Sequence, residues 1–182
     1  APYKILPERF DAWMAILRAV PASVLWMRTI GPVAVRRVLK RAESLGVDPR
    51  RLRFASNEDV PRYLARFRLA DLFLDTSPFG SHTTVNDALS AGLPVLTQAG
   101  RTFASRASAS QVIAAGLPEL AAASLEEYAD TAIALGLDRP RLRESSLLLR
   151  ANRSLKPFFD PDAYARAFEA AIERAWKDTP AG

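Results

Sequence analysis

The chain has 182 residues, no cysteine and a single histidine, with 25 basic against 20 acidic side chains for a net charge of +5. These counts exclude a disulfide framework, a thiolate nucleophile and any metal centre built from cysteines or from several histidines. The length suits one domain, residues 1–182, that buries a core without staples, and no apolar run is long enough to span a bilayer.

The residues Ala1-Pro2-Tyr3-Lys4 carry no signal-peptide pattern, which makes the cytoplasm the expected compartment. A pI near 10.0 invites a nucleic-acid reading. The arginines, however, are scattered (Arg36-Arg37, Arg50-Arg51-Arg53, Arg62-Arg66-Arg68, Arg139-Arg141-Arg143). No zinc-finger spacing, aromatic RNA-binding strand or basic zipper accompanies them, so no specific nucleic-acid partner is expected.

Helix and strand patterns then alternate. Glu8–Val20 places Phe10, Trp13, Met14 and Leu17 at helical spacing behind Pro7, a good first-turn residue. Ser23–Met27 is short, apolar and partly β-branched, as a buried parallel strand should be. Pro32–Leu45 reads as a basic amphipathic helix stopped by Gly46, and Arg51–Ala55 as the next strand. Asp59–Arg68 reads as a helix capped by Asn57 or Ser56, with Pro61 in its first turn.

Asp71–Asp75 is the following strand, with both aspartates terminating it. A helix runs from about Thr83 to Ala91, then the turn Gly92-Leu93-Pro94 and the strand Val95-Leu96-Thr97. Ser105–Ala115 reads as a helix closed by Gly116, and Ser124–Leu135 as one closed by Gly136. Helices over 139–150 and 162–176 finish the chain. This alternation predicts an α/β fold, a Rossmann-like parallel sheet with helices on both faces.

In such a sheet, ligands bind at the carboxyl ends of the strands. The Thr76–Thr84 loop leaves one such end and enters a helix through Gly80-Ser81-His82-Thr83-Thr84-Val85-Asn86-Asp87. A helix start has backbone N–H groups without intrahelical acceptors and a partial positive charge, which together suit a phosphate. The segment also brings the chain's histidine, two hydroxyls and a carboxylate one turn on. The plainer reading is a capped helix, with Thr83 or Ser81 as N-cap and Asp87 a solvated acid.

The blocks Leu69-Ala70-Asp71-Leu72-Phe73-Leu74-Asp75-Thr76, Gly80-Ser81-His82-Thr83-Thr84, Asp87-Ala88-Leu89, Ala91-Gly92-Leu93-Pro94-Val95-Leu96-Thr97 and Thr102-Phe103-Ala104-Ser105-Arg106 occur in this order. Together they resemble the C-terminal catalytic lobe of the bacterial-type O-linked N-acetylglucosamine transferases, glycosyltransferase family 41. Tyr3-Lys4-Ile5, Trp13, Val20-Pro21 and Ser23-Val24-Leu25-Trp26 match the start of that lobe, and Pro157-Phe158-Phe159-Asp160 with the last helix its end. The resemblance implies the C-terminal half of a two-lobed GT-B glycosyltransferase that moves N-acetylglucosamine from UDP-GlcNAc to Ser/Thr of proteins with inversion.

The resemblance also implies roles. Lys4 would neutralise the UDP diphosphate as it leaves, making it the catalytic candidate. His82, Thr83 and Thr84 would cradle the diphosphate, and Asp87 would accept from the ribose hydroxyls. Neither metal nor other cofactor is implied. Two positions depart from the family pattern. Tyr63 stands where relatives often carry a histidine near the uracil and ribose, and could stack on the base. Val60 stands near the place of a lysine. The implied acceptor-side lobe is absent, as are the tetratricopeptide helices that recruit protein acceptors, since no repeat of about 34 residues occurs. A strand that the resemblance places before Tyr3-Lys4 is missing or cut short, so a truncation boundary is expected at Ala1. The alternatives are another nucleotide-sugar donor on the same scaffold, such as GDP-fucose, or a non-catalytic binding module.

Overall fold

The computed structural model describes residues 2–178; the boundary expected at Ala1 lies outside them. Helix α1 (Pro7–Ala19) buries Phe10, Trp13, Met14 and Leu17 on the face their spacing predicts. Each such burial contributes about 2 kcal/mol. Strand β1 (Leu25–Arg28) pairs in parallel with β2 (Leu52–Ala55), and α2 (Pro32–Ser44) connects them. Gly46, at φ +75°, follows the end of α2 as expected.

Helix α3 (Val60–Arg66) follows, then β3 (Phe73–Leu74), α4 (Thr83–Ser90), β4 (Val95–Gln98), α5 (Phe103–Ala114) and β5 (Ala121–Ala122). The chain closes with α6 (Leu125–Leu137), α7 (Arg139–Asn152) and α8 (Pro161–Asp178). Strand β4 is central: it pairs in parallel with β3 on one side and β5 on the other. Val95, Leu96 and Thr97 are all buried, and α4, α5 and α6 pack on this strand. Burial of consecutive residues means both faces are covered. One contiguous apolar cluster runs from Phe10 through Leu89 and Leu96 to Leu149.

All the strand pairs are parallel and helices alternate with them, as the α/β expectation has it. Among the described residues the strands fall into two hydrogen-bonded groups, β1–β2 and β3–β4–β5. Local expectations are corrected. Strand β1 is not buried on both faces: Leu25 is buried, while Trp26 is 40% exposed and carries the Arg66 guanidinium 5.6 Å from its ring. The α3 cap is Asp59, which accepts from Arg62 N–H. Asn57 instead accepts from Arg28 Nε at 2.7 Å, and Ser56 donates to Glu58.

Gly136 does not close α6, which runs one residue further to Leu137. Its reason is contact. A Cβ there would lie 2.8 Å from Val20 Cγ2 and 3.0 Å from Cγ1, where α6 packs on α1. In an open helix interior, glycine to alanine gains about 1 kcal/mol. Gly136→Ala is expected to lose about 1 kcal/mol instead, and to become stabilising when measured in a Val20→Ala background. Denaturant midpoints of the four chains check this.

Candidate nucleotide-binding site

The candidate site lies where β3 and β4 end. Beyond β3, Asp75 is 1% exposed. Its Oδ1 accepts from Ser81 N–H at 3.0 Å and its Oδ2 from the Thr97 hydroxyl at 2.9 Å. Its carbonyl accepts from the Tyr128 hydroxyl at 3.1 Å. This aspartate does more than terminate a strand, as the sequence reading has it: it pins the Thr76–Thr84 loop to the sheet. The spacing alone hides this, because the partner hydroxyl is 22 residues away on another strand.

The loop is held from its other side by α5. Gly80 N–H donates to Ala104 O at 3.1 Å, and Ser108 Oγ donates to Ser81 O at 2.5 Å. Gly80 is squeezed: a Cβ there would lie 2.6 Å from Ser108 Oγ and 3.2 Å from Asp75 Oδ2. The loop includes a cis Ser77–Pro78 peptide. These ties carry the chain into α4 with His82 as N-cap and no side chain accepting there. Neither Thr83 nor Ser81 caps the helix, against the plainer reading of this segment as a capped helix. Ser81 is one residue too early because Asp75 and Ser108 fix its backbone, and Thr83 is already helical. The consequence is that the first N–H groups of α4 keep their donor capacity.

The expected site residues gather here. Lys4, remote in sequence, donates from Nζ to Gly80 O at 3.1 Å and lies 4.2 Å from the Phe79 ring centroid. The His82 imidazole stacks on that same Phe79 ring, with centroids 5.5 Å apart and planes 13° apart. Phe103 meets His82 edge-on at 5.8 Å. His82 Nε2 is buried and has no partner. Thr83 is exposed and Thr84 half-buried. Phe79 and Phe103, which brace the histidine, carry no sequence signal of that role; only their proximity in the fold reveals them.

Asp87 lies one turn into α4, and its Oδ2 accepts from the Tyr63 hydroxyl at 3.1 Å. It is therefore tied to α3 rather than simply solvated. Burial is the main cause raising the Tyr63 phenol above its ordinary value, with hydrogen bonding to Asp87 adding to it and to Thr84 opposing it. The hydroxyl remains a donor throughout the neutral range. Val60, at the start of α3, is 68% exposed and takes no part in this contact.

Behind the loop, Arg9 is 2% exposed. Its Nη2 donates to Gln98 Oε1 at 2.5 Å, and its guanidinium lies 4.1 Å over the Tyr128 ring. Tyr128 also accepts from Trp13 Nε1 at 3.0 Å. Burial raises the Tyr128 phenol well above its usual value, opposed by Trp13 and Arg9. This braces the site from α1 and α6. A charged residue inside an apolar helical face gives no sequence signal of that role.

No group of three or more His, Asp or Glu among the described residues is arranged to hold a metal ion. No helix of the described residues is long and apolar enough to cross a membrane.

Residues 1–168 match the sequence model of the glycosyl transferase family 41. The chain belongs to that family. Among curated relatives, it is 33% identical over 180 residues to the UDP-N-acetylglucosamine–peptide N-acetylglucosaminyltransferase of Caenorhabditis elegans, covering 99% of this chain and 16% of that protein. It is 34% identical over 175 residues to a probable enzyme of the same description, SEC of Arabidopsis thaliana, covering 96% and 18%. Among solved structures it resembles a lysine-to-methionine mutant of the Thermobaculum terrenum O-GlcNAc transferase, with TM-score 0.87 and 35% identity. That match covers 96% of this family 41 chain and 34% of the other. The chain thus spans about a fifth or less of these two curated relatives and a third of the solved one.

Proposed function

We propose that this chain is the UDP-binding lobe of a protein O-GlcNAc transferase, holding UDP-GlcNAc while N-acetylglucosamine passes to a Ser or Thr hydroxyl. The observation that carries the reading is the convergence of Lys4, His82, Thr83, Thr84 and Asp87 on one uncapped helix start in a chain of this family. Fixed donors aimed at the place where charge develops stabilise it without reorganising.

In this reading, Thr83 and Thr84 direct backbone N–H groups and hydroxyls at the diphosphate, and the N-terminal dipole of α4 adds to the attraction. His82 Nε2, lacking a partner, supplies a further polar contact. Lys4 releases Gly80 O and turns its ammonium to the diphosphate, where negative charge grows as the glycosidic bond breaks. Asp87 accepts from the ribose. The acceptor hydroxyl attacks the anomeric carbon from the opposite face, which inverts it. No metal is needed, because Lys4 and the helix start provide the positive charge.

The acceptor site and general base are assigned to a second lobe, in keeping with the small share of the relatives that this chain spans. The chain by itself is accordingly expected to bind UDP and transfer nothing; measurable transfer by the pure chain contradicts that assignment. Soluble nucleotide sugar and a protein acceptor are the partners, in the cytoplasm, with neither nucleic acid nor membrane engaged.

Thermal melting tests the donor. UDP-GlcNAc at about a hundred times its Kd stabilises by about 2.7 kcal/mol. In a chain of this size that raises Tm by roughly 5–10 °C. ADP-glucose and GDP-fucose at the same concentration are expected to do far less. An equal or larger shift with GDP-fucose would move the assignment to another donor. No shift with any of them contradicts nucleotide-sugar binding.

A further inference from the structure

We propose that Tyr63 is a positioning residue for ribose recognition, acting through Asp87: its hydroxyl holds Oδ2 and leaves Oδ1 to accept from the sugar. The proposal rests on the UDP-lobe reading above and departs from the expectation that Tyr63 stacks on the base.

Three observations carry it. The Tyr63 hydroxyl donates to Asp87 Oδ2 at 3.1 Å, joining α3 to α4 across 24 residues of sequence. The Tyr63 ring is itself fixed, meeting Phe67 edge-on at 5.1 Å with planes 76° apart, and Phe67 in turn tilts against Phe73 of β3 at 6.4 Å. Asp87 is half-buried on a short helix, where a carboxylate without the Tyr63 bond would have rotational freedom to lose on binding. A carboxylate oriented in advance binds more tightly because less order must be imposed when the ligand arrives. A ring held against Phe67, with its hydroxyl spent on Asp87, is poorly disposed to lie flat on a base.

The test is calorimetric titration of the 182-residue chain, Tyr63→Phe, Tyr63→His, Asp87→Asn and the Tyr63→Phe/Asp87→Asn pair with UDP and with 2′,3′-dideoxy-UDP. The unaltered chain is expected to prefer UDP. Tyr63→Phe should weaken UDP binding roughly fivefold to tenfold, as expected for one oriented hydrogen bond, while dideoxy-UDP binding stays unchanged. Tyr63→His, which keeps a ring N–H donor, should retain part of the preference. In the Asp87→Asn background the Tyr63→Phe effect should shrink, since the two residues act as one unit.

Equal loss for both ligands would show that Tyr63 supports the fold or stacks on the base, and overturns the proposal. So does an unchanged UDP preference in Tyr63→Phe. If the unaltered chain binds no UDP, the lobe assignment itself fails and this proposal with it; normal UDP binding with an unmoved preference counts against Tyr63 only.

Discussion

Asp75→Ala is expected to lower stability by about 3 kcal/mol, because the Ser81 N–H and the Thr97 hydroxyl lose their acceptor inside the protein. In a chain of this size that amounts to roughly 6–12 °C in Tm. The cost arises from burial. Asp75 and Thr97 are each 1% exposed, so water does not readily take the place of the carboxylate there. Asp75→Asn should lose less than half as much, since its amide oxygen still accepts from Ser81 while the Thr97 hydroxyl can accept from the new N–H₂. The alanine variant should also lose UDP affinity, because the loop that enters α4 is no longer tied to β3. A drop in Tm below 1 kcal/mol equivalent, with UDP binding intact, would show that the loop is held by other means.

Gly80→Ala is expected to cost about 2 kcal/mol, as over-packing does in a well-filled region. The new methyl meets Ser108 Oγ, Asp75 Oδ2 and the Ala104 carbonyl at 2.6, 3.2 and 3.4 Å. The serine could rotate away, but only by giving up its hydrogen bond to Ser81 O. Either response shifts the backbone that presents His82 and Thr83. Ser108→Ala makes space while losing that bond, at about 1 kcal/mol. The double variant should therefore be more stable than the sum of the single losses predicts, a coupling that denaturant unfolding of all four chains measures. Strict additivity would contradict the contact.

Much of this architecture is legible in the sequence because local patterns and the fold agree. The buried stripe of α1, the alternation of strands with helices, and the stops at Gly46 and Gly116 rest on periodicity and on glycine's tolerance of positive φ. The gathering of His82, Thr83, Thr84 and Asp87 is legible too, because they share one short segment. What escapes is whatever depends on distant partners. Strand β5 is two alanines with no pattern, and it exists because Thr97 and Gln98 pair with Ala121 and Ala122. Gly136 has the look of a helix stop until Val20 is seen against it. Asp75, Ser108 and Arg9 brace the site through contacts spanning 22 to 89 residues, and nothing in their immediate neighbourhoods announces that. Tyr63 stands out in the sequence as a departure from the family pattern; its hydrogen bond to Asp87 is a property of the folded chain.

The central claim is that the turn into α4, closed over by Lys4, is a seat for the diphosphate of UDP. Its most direct test is calorimetric titration of the chain with UDP, GDP and ADP, repeated on Lys4→Ala and on Thr83→Ala/Thr84→Ala. The expected result is UDP-selective binding, with affinity falling roughly tenfold in each variant as charged or paired hydrogen bonds are lost. UDP binding that is unchanged in both folded variants, or no binding by the folded unaltered chain, would contradict it.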